Sequence, residues 1–287
     1  MYIIRDMRQK IGISALLAGA ALCSQAQWVN YRQPGAPRTP DGKVNFAAPA
    51  PRASNGKPDL SGVWQVEPTP SAELTRLYGD LSALSTLGDD PRTVSKYLFN
   101  IFADFKRGEE PVRAEAVQIQ RERAKGGGKD IPSSHCLPGG LPFIYFLPNA
   151  FKIIQTPGLI AVFHEGDSTL RQIYTDGRRA PEDREPLWLG YSVGVWQRDT
   201  LVVDTVGFND RSWLDGAGHP HSEALHLTER LRRRDFGHLD MQITIDDPKM
   251  YTKPFTIQLT QLLQADADIV EYVCAENEKD RLHLDKQ

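Results

Sequence analysis

The chain has 287 residues, of which 40% are hydrophobic, 9% aromatic and 25% charged, a balance that excludes collagen-like, mucin-like and wholly disordered proteins. Its formal charge is −3, from 34 Lys and Arg against 37 Asp and Glu. No strongly basic surface is therefore expected, and nucleic acid is not a predicted partner.

The N-terminus has the pattern of a signal peptide over residues 1–26. A basic segment, residues 5–10, precedes an apolar stretch, residues 11–22, that is too short to span a bilayer. Small residues then follow, so we expect cleavage after Ala26 and a periplasmic or secreted bacterial protein that no longer contacts the membrane. Cys23 leaves an uncleaved or lipoprotein anchor as the alternative.

Export changes the expected chemistry of the cysteines. After cleavage only Cys136 and Cys274 remain, and pairs of cysteines form disulfides in oxidising compartments. We predict a Cys136–Cys274 disulfide. The alternative is two buried thiols.

The N-terminal half of the mature chain divides into three parts. Residues 27–58 are rich in Pro, Ala, Gly and Arg and are expected to form an extended linker or strap. Residues 59–67 read as a first strand. A helical insertion is predicted over 70–128, including an amphipathic helix over 94–105, within a single domain that spans 59–287.

The hydrophobic period changes to two from Phe143 onward. Residues 238–246 alternate most clearly between apolar and polar side chains. Many short strands separated by turn residues predict an antiparallel meander, and closure of roughly eight to ten strands into a barrel removes the unpaired edges. The candidate strands are 143–147, 150–156, 159–165, 168–175, 188–197, 199–207, 224–234, 238–246, 255–263 and 267–274.

A Gly-x-Trp motif ends in Trp64 on the first strand. This resembles the lipocalin and wider calycin signature, in which a tryptophan closes the barrel base under an arginine. The resemblance implies a guanidinium on the indole, from Arg230 or Arg232. The alternative is a tryptophan that is simply buried in a strand.

Longer stretches resemble a broad family of secreted bacterial proteins. They are PDLSGVW (58–64), GHPHSEALHLTER (218–230) and DDPKMYTKPF (246–255). The resemblance implies export and a barrel of the lipocalin or calycin type, and it implies no particular activity.

The densest polar segment is 204–230. Imidazole and carboxylate groups together support general acid–base catalysis near neutral pH, and an arginine stabilises developing negative charge. We predict that His221 and His226 face one cavity, with Arg230 at its wall. Glu229 or Asp204 is expected to orient one of the two rings. Alternatively, the cluster braces a long loop, and strand parity makes Glu229 a buried partner for an arginine. The candidate catalytic residues are His221, His226, Asp204, Glu229 and Arg230, beside the ligand-binding candidates Asn209 and Trp213.

A metal is the rival interpretation of the same segment. His219 and His221 form an H-x-H pair, and Glu223 or His226 could add a ligand for zinc or another divalent ion. The spacing differs from the cupin pattern, and no H-E-x-x-H motif is present. We therefore expect no cofactor and keep the metal as the alternative.

A second polar and aromatic set contains Arg171, Tyr174 and Tyr191, which could line a ligand pocket or belong to the core. The sequence lacks a G-x-S-x-G elbow and nucleotide-binding glycine motifs. The predicted function is cofactor-independent acid–base chemistry on a small apolar or aromatic molecule by a lyase, isomerase or hydrolase. The alternatives are a non-catalytic lipocalin-like binding protein and a metal-dependent enzyme.

Overall fold

The computed structural model describes residues 32–79 and 94–274. The predicted signal peptide, residues 1–26, lies outside the described residues, as does part of the predicted helical insertion, 80–93. Among the described helices, none is long and apolar enough to cross a bilayer.

The fold is mainly β, and its centre is a closed barrel of nine strands that follow one another in sequence order. The last strand pairs with the first and closes the barrel, so no edge is left unpaired. The strands are β1 (Gly62–Val66), β2 (Phe151–Thr156), β3 (Leu159–His164), β4 (Leu170–Tyr174), β5 (Tyr191–Gln197), β6 (Thr200–Val206), β7 (His226–Arg233), β8 (His238–Asp246) and β9 (Phe255–Leu263).

The sequence predicted an antiparallel meander, but the barrel is a mixed sheet. β4 and β5 run parallel, with Ile173 opposite Ser192 and Tyr174 opposite Val193. A parallel pair needs a crossover that returns the chain to the same end of the sheet. The long connection over 175–190 provides it, where the sequence pattern suggested only another turn.

Strand β8 confirms the alternation that its sequence predicted. Leu239, Met241, Ile243 and Ile245 are buried in the barrel core, while the residues between them are partly exposed. Side chains of a strand point to alternate faces, so an apolar residue at every second position fills the interior.

Two predicted strands are wrong. Residues 143–147 contain a 3-10 helix, Phe143–Tyr145, because a continuous apolar run does not distinguish a buried strand from a buried helical turn. Residues 267–274 form no strand. β1 and β9 already pair with each other, so the closed sheet offers that segment no edge.

The helices are shorter than predicted. The α-helices are α1 (Ser71–Tyr78) and α2 (Ala114–Lys125), and the predicted helix over 94–105 is a 3-10 turn, Lys96–Leu98, followed by further turns. Its apolar residues, including Ile101 and Phe102, are nevertheless buried. The pattern therefore indicated burial correctly but not the backbone conformation.

The arginine that covers Trp64 is Arg233, not Arg230 or Arg232. Its guanidinium carbon lies 4.9 Å from the indole centroid, and it donates hydrogen bonds to the carbonyls of Asp59 at 2.6 Å and Phe236 at 2.6 Å. Odd-numbered residues of β7 point inward, whereas Arg230 and Arg232 point outward. Burial lowers the pKa of Arg233 to about 10, so it remains charged at neutral pH.

The predicted disulfide is present. Cys136 and Cys274 are bonded, with Cα atoms 5.5 Å apart, across 138 residues of sequence. The bond attaches the C-terminal segment to the loop before β2.

Candidate functional site

His226 and Asp204 lie on the outer face of the barrel. His226 Nε2 is 3.1 Å from Asp204 Oδ1, and their side chains are 42% and 50% exposed. Thr228 donates to the same carboxylate oxygen at 2.9 Å. The predicted pairing of Asp204 with a histidine is therefore observed, but it faces solvent because even-numbered residues of β7 point outward.

His221 is buried elsewhere, in the loop between β6 and β7. Its Nε2 is 2.7 Å from Ser212 Oγ, and its Nδ1 is 3.2 Å from the Ser222 carbonyl. Burial lowers the pKa of His221 to about 4, so the ring is neutral at physiological pH. A Cβ on Gly140 would lie 2.2 Å from Ser212 Oγ. Gly140 therefore packs directly against Ser212 and leaves no space on that side for a substrate.

The predicted common cavity for His221 and His226 is therefore wrong. One ring is fully buried against Ser212, and the other is on the outer surface of the sheet. Arg230 also points outward and lines a groove that includes neither ring. Strand parity places the polar face of β7 outside the barrel, whereas the prediction placed it inside.

Glu229 and Arg171 form an ion pair in the barrel interior, each with a side chain 1% exposed. Arg171 Nη1 donates to Glu229 Oε1 at 3.0 Å and to the Tyr145 hydroxyl at 2.8 Å. Nη2 donates to Glu229 and to Thr205 at 2.9 Å, and Nε to Ser192 at 3.1 Å. Every guanidinium nitrogen is bonded, so both residues brace the interior, as the parity alternative expected for Glu229.

The remaining ligand-binding candidates do not converge on one cavity. Tyr174 and Tyr191 stack at 5.2 Å, with Arg178 4.0 Å above Tyr174. Trp213 is buried under a different cation, and Asn209 accepts a hydrogen bond within its own turn. These contacts indicate local packing on separate parts of the surface and loop.

The metal candidates also have separate environments. His219 binds Asp215, His221 binds Ser212, His226 binds Asp204, and Glu223 is exposed. Within residues 32–79 and 94–274, no three His, Cys, Asp or Glu side chains are arranged to hold a metal ion.

A different pair, Asp215 and His219, has the geometry of a general base and its orienting carboxylate. His219 Nδ1 lies 2.6 Å from Asp215 Oδ2, and the carboxylate is fully buried. Asp215 also accepts the backbone N–H groups of Ile101 at 2.6 Å, Ala217 at 3.0 Å and His219 at 3.1 Å. These bonds fix the carboxylate, which in turn fixes a proton on Nδ1 and leaves Nε2 as the acceptor in the neutral ring.

The second ring nitrogen of His219, Nε2, bonds to no described residue. The side chain as a whole is 10% exposed. Phe102 packs edge-on against the imidazole, with ring centroids 5.0 Å apart. The ring is thus held on one side by a carboxylate and on another by an aromatic ring.

His219 lines a cavity of about 690 Å³ outside the barrel. The cavity lies between the end of α1, the segment over 99–112, α2 and the loop before β7. Aromatic and aliphatic side chains dominate one part of its lining, and Arg107 and Glu110 bring opposite charges. Such a volume suits a small ligand. The main lining residues are Tyr78, Phe99, Phe102, Val112, Val117 and Gln120.

The site predicted from the sequence included His219 as a candidate metal ligand and did not include Asp215. Their four-residue separation in the glycine-containing loop Asp215–His219 was a usable signal, because a tight loop brings such side chains together. The contact of Asp215 with Ile101 could not be read from the sequence, since it joins segments 114 residues apart.

Comparison with known proteins does not assign this chain to a family. A scan against protein-family models finds no matching family, and a search of curated proteins finds no match.

Proposed function

We propose that the protein is an exported β-barrel enzyme that acts on a small apolar or aromatic molecule by acid–base chemistry. His219 is the base and Asp215 is its orienting carboxylate. The observation that carries the proposal is the 2.6 Å Asp215–His219 contact beside a cavity of about 690 Å³, with Nε2 unpartnered among the described residues.

The chemistry follows from this geometry. Nε2 accepts a proton from the substrate or from a water molecule, and Asp215 stabilises the imidazolium that forms. The same proton transfer begins an elimination, an isomerisation or a hydrolysis. Phe99 and Phe102 offer apolar contact for an aromatic group, and Arg107 offers a charge for an anionic oxygen.

Two other features support the proposed compartment and barrel type. The Cys136–Cys274 disulfide fits an oxidising periplasmic or extracellular compartment. The Trp64–Arg233 contact supports a lipocalin-like or calycin-like closure of the barrel. A lipocalin-like protein would hold its ligand inside the barrel. The proposed site lies outside the barrel, since no strand residue lines its cavity.

The test uses hydrolysis of 4-nitrophenyl acetate, a small aromatic ester, by the disulfide-bonded protein. The variants are His219→Gln and Asp215→Asn, with His226→Gln as a matched control because His226 also bonds an aspartate but lies outside the cavity. We expect turnover by the wild type above the buffer rate. His219→Gln should lower it by about 100-fold or more, the usual contribution of a general base.

Asp215→Asn should also reduce turnover, while His226→Gln should not. Circular dichroism and the unfolding midpoint check that each variant is folded. Wild-type turnover that survives His219→Gln, or that falls equally in His226→Gln, would contradict the assignment. Absence of turnover by the wild type would remove the support for hydrolysis of small aromatic esters.

A further inference from the structure

A second concave surface lies on the outer face of β7, β8 and β9 and is independent of the proposed catalytic cavity. This groove has a volume of about 790 Å³. One wall is built by the segments 67–70 and 95–97. Glu67 N bonds the Thr260 carbonyl at 2.8 Å, and Lys96 N bonds Thr69 Oγ1 at 3.0 Å, so the wall is tied to β9 and to itself.

Three arginines of one strand and its end line the groove. Arg230, Arg232 and Arg234 alternate with inward-facing residues along β7 and its end. Side chains two residues apart on a strand are separated by roughly 6.6–7 Å. The strand therefore presents a row of arginine side chains whose Cα atoms are regularly spaced.

Two of these arginines have no acidic partner in the described part of the chain. Arg234 bonds Asp240 at 2.9 Å. Arg230 makes only two 3.4 Å contacts with the amide oxygen of Gln197. Arg232 makes no hydrogen bond or ion pair with any described residue. Guanidinium donors that no carboxylate satisfies are suited to an external anion.

The floor beside Arg230 adds neutral donors. Gln242 is its cross-strand neighbour on β8, and Gln258 is the neighbour of Gln242 on β9. Neither side-chain amide bonds a described residue, and both line the groove. A carboxamide row next to free guanidinium groups binds anionic oxygens and offers hydrogen bonds to the rest of a polar ligand.

We propose that this groove binds a small molecule carrying two anionic groups, phosphates or carboxylates, which Arg230 and Arg232 engage together. A ligand that engages both arginines needs two anionic centres within reach of one another, and the volume of the groove limits the ligand to a small molecule. Glu67 and Asp240, the cross-strand neighbour of Arg232, also line the groove. They disfavour an extended polyanion, because it would contact them as well.

Isothermal titration calorimetry at constant ionic strength tests the proposal with pyrophosphate and citrate as separate probes. Arg230→Gln and Arg232→Gln should each weaken binding by about tenfold, the effect of losing hydrogen bonds to a charged group. Arg179→Gln is the matched control, because Arg179 lies outside the groove, is exposed and bonds no described residue.

The two probes separate the sources of the anion. Binding of pyrophosphate alone supports a phosphate-bearing ligand, and binding of citrate alone supports a carboxylate-bearing one. Failure of both anions to bind the wild type would overturn the proposal. So would equal losses in Arg179→Gln and the groove variants, which would indicate a nonspecific charge effect. These outcomes do not depend on turnover at His219.

Discussion

The buried ion pair between Arg171 and Glu229 gives the sharpest stability prediction. The Glu229→Gln variant keeps the shape of the side chain but leaves the Arg171 charge in the barrel interior without a counter-ion. Arg171 would retain its bonds to Tyr145, Ser192 and Thr205, which are neutral acceptors. Breaking a buried pair by removing one partner costs about 3–5 kcal/mol, and we expect a loss of this size.

Urea unfolding at neutral pH, with the disulfide intact, measures the change. Glu73→Gln is the control, because Glu73 pairs with Arg76 on the surface, where their side chains are 35% and 65% exposed. Exposed pairs contribute about 0–1 kcal/mol. The two variants remove the same charge, so the difference between them isolates the effect of burial.

The double variant Arg171→Met with Glu229→Leu extends the test. It removes both charges, so it should lose less free energy of unfolding than Glu229→Leu alone. Tyr145 then lacks its donor, which prevents full recovery. A Glu229→Gln protein within about 0.5 kcal/mol of the wild type would refute the interpretation of this pair as a structural brace.

Three further outcomes are expected. Burial lowers the pKa of His164 to about 3 and that of His221 to about 4, so below about pH 6.5 the unfolded chain binds protons that the folded chain excludes. The free energy of unfolding should therefore fall on acidification to about pH 4, by up to about 1.4 kcal/mol per pH unit for each histidine; urea unfolding that is insensitive to pH over this range would contradict it. Arg233→Met should cost about 2–5 kcal/mol in urea unfolding, since it removes the cation over Trp64 and leaves backbone carbonyls unpaired, whereas Arg232→Met should change little. Reducing the disulfide should cost about 2–5 kcal/mol, and identical unfolding curves with and without reductant would exclude a stabilising role.

The sequence was sufficient for the parts of the fold that depend on local alternation. β8 was predicted at its observed bounds, and the burial of Glu229 followed from its parity with the leucines of β7. The same parity also determines which arginine meets Trp64. Arg233 shares the inward face with Glu229, and applying the rule consistently would have selected it over Arg230 and Arg232.

The sequence was insufficient where distant segments meet. The run over 143–147 satisfies both a strand and a buried 3-10 turn, and only the surrounding packing selects between them. The parallel β4–β5 pair depends on the path of the long connection between them. Neither feature leaves a periodic signal in the residues concerned.

The candidate site shows the same division. Clustering of histidines drew attention to residues 204–230, which contain the proposed base His219, but density alone did not indicate which ring borders a cavity. His221 is covered by Gly140 and Ser212, His226 lies on the outer sheet, and His219 borders the cavity. That distinction depends on how the loop packs against Ile101 and Phe102, which are far away in sequence.

The tautomer of His219 tests the central claim most directly. Long-range proton–nitrogen NMR correlations of the histidine rings, recorded at about pH 9 where an ordinary histidine is neutral, report which nitrogen carries the proton. The account predicts that His219 has its proton on Nδ1, bonded to Asp215, and that Asp215→Asn weakens this preference. A wild-type His219 with its proton on Nε2 would contradict the account, because Nε2 could not then accept a proton from a substrate.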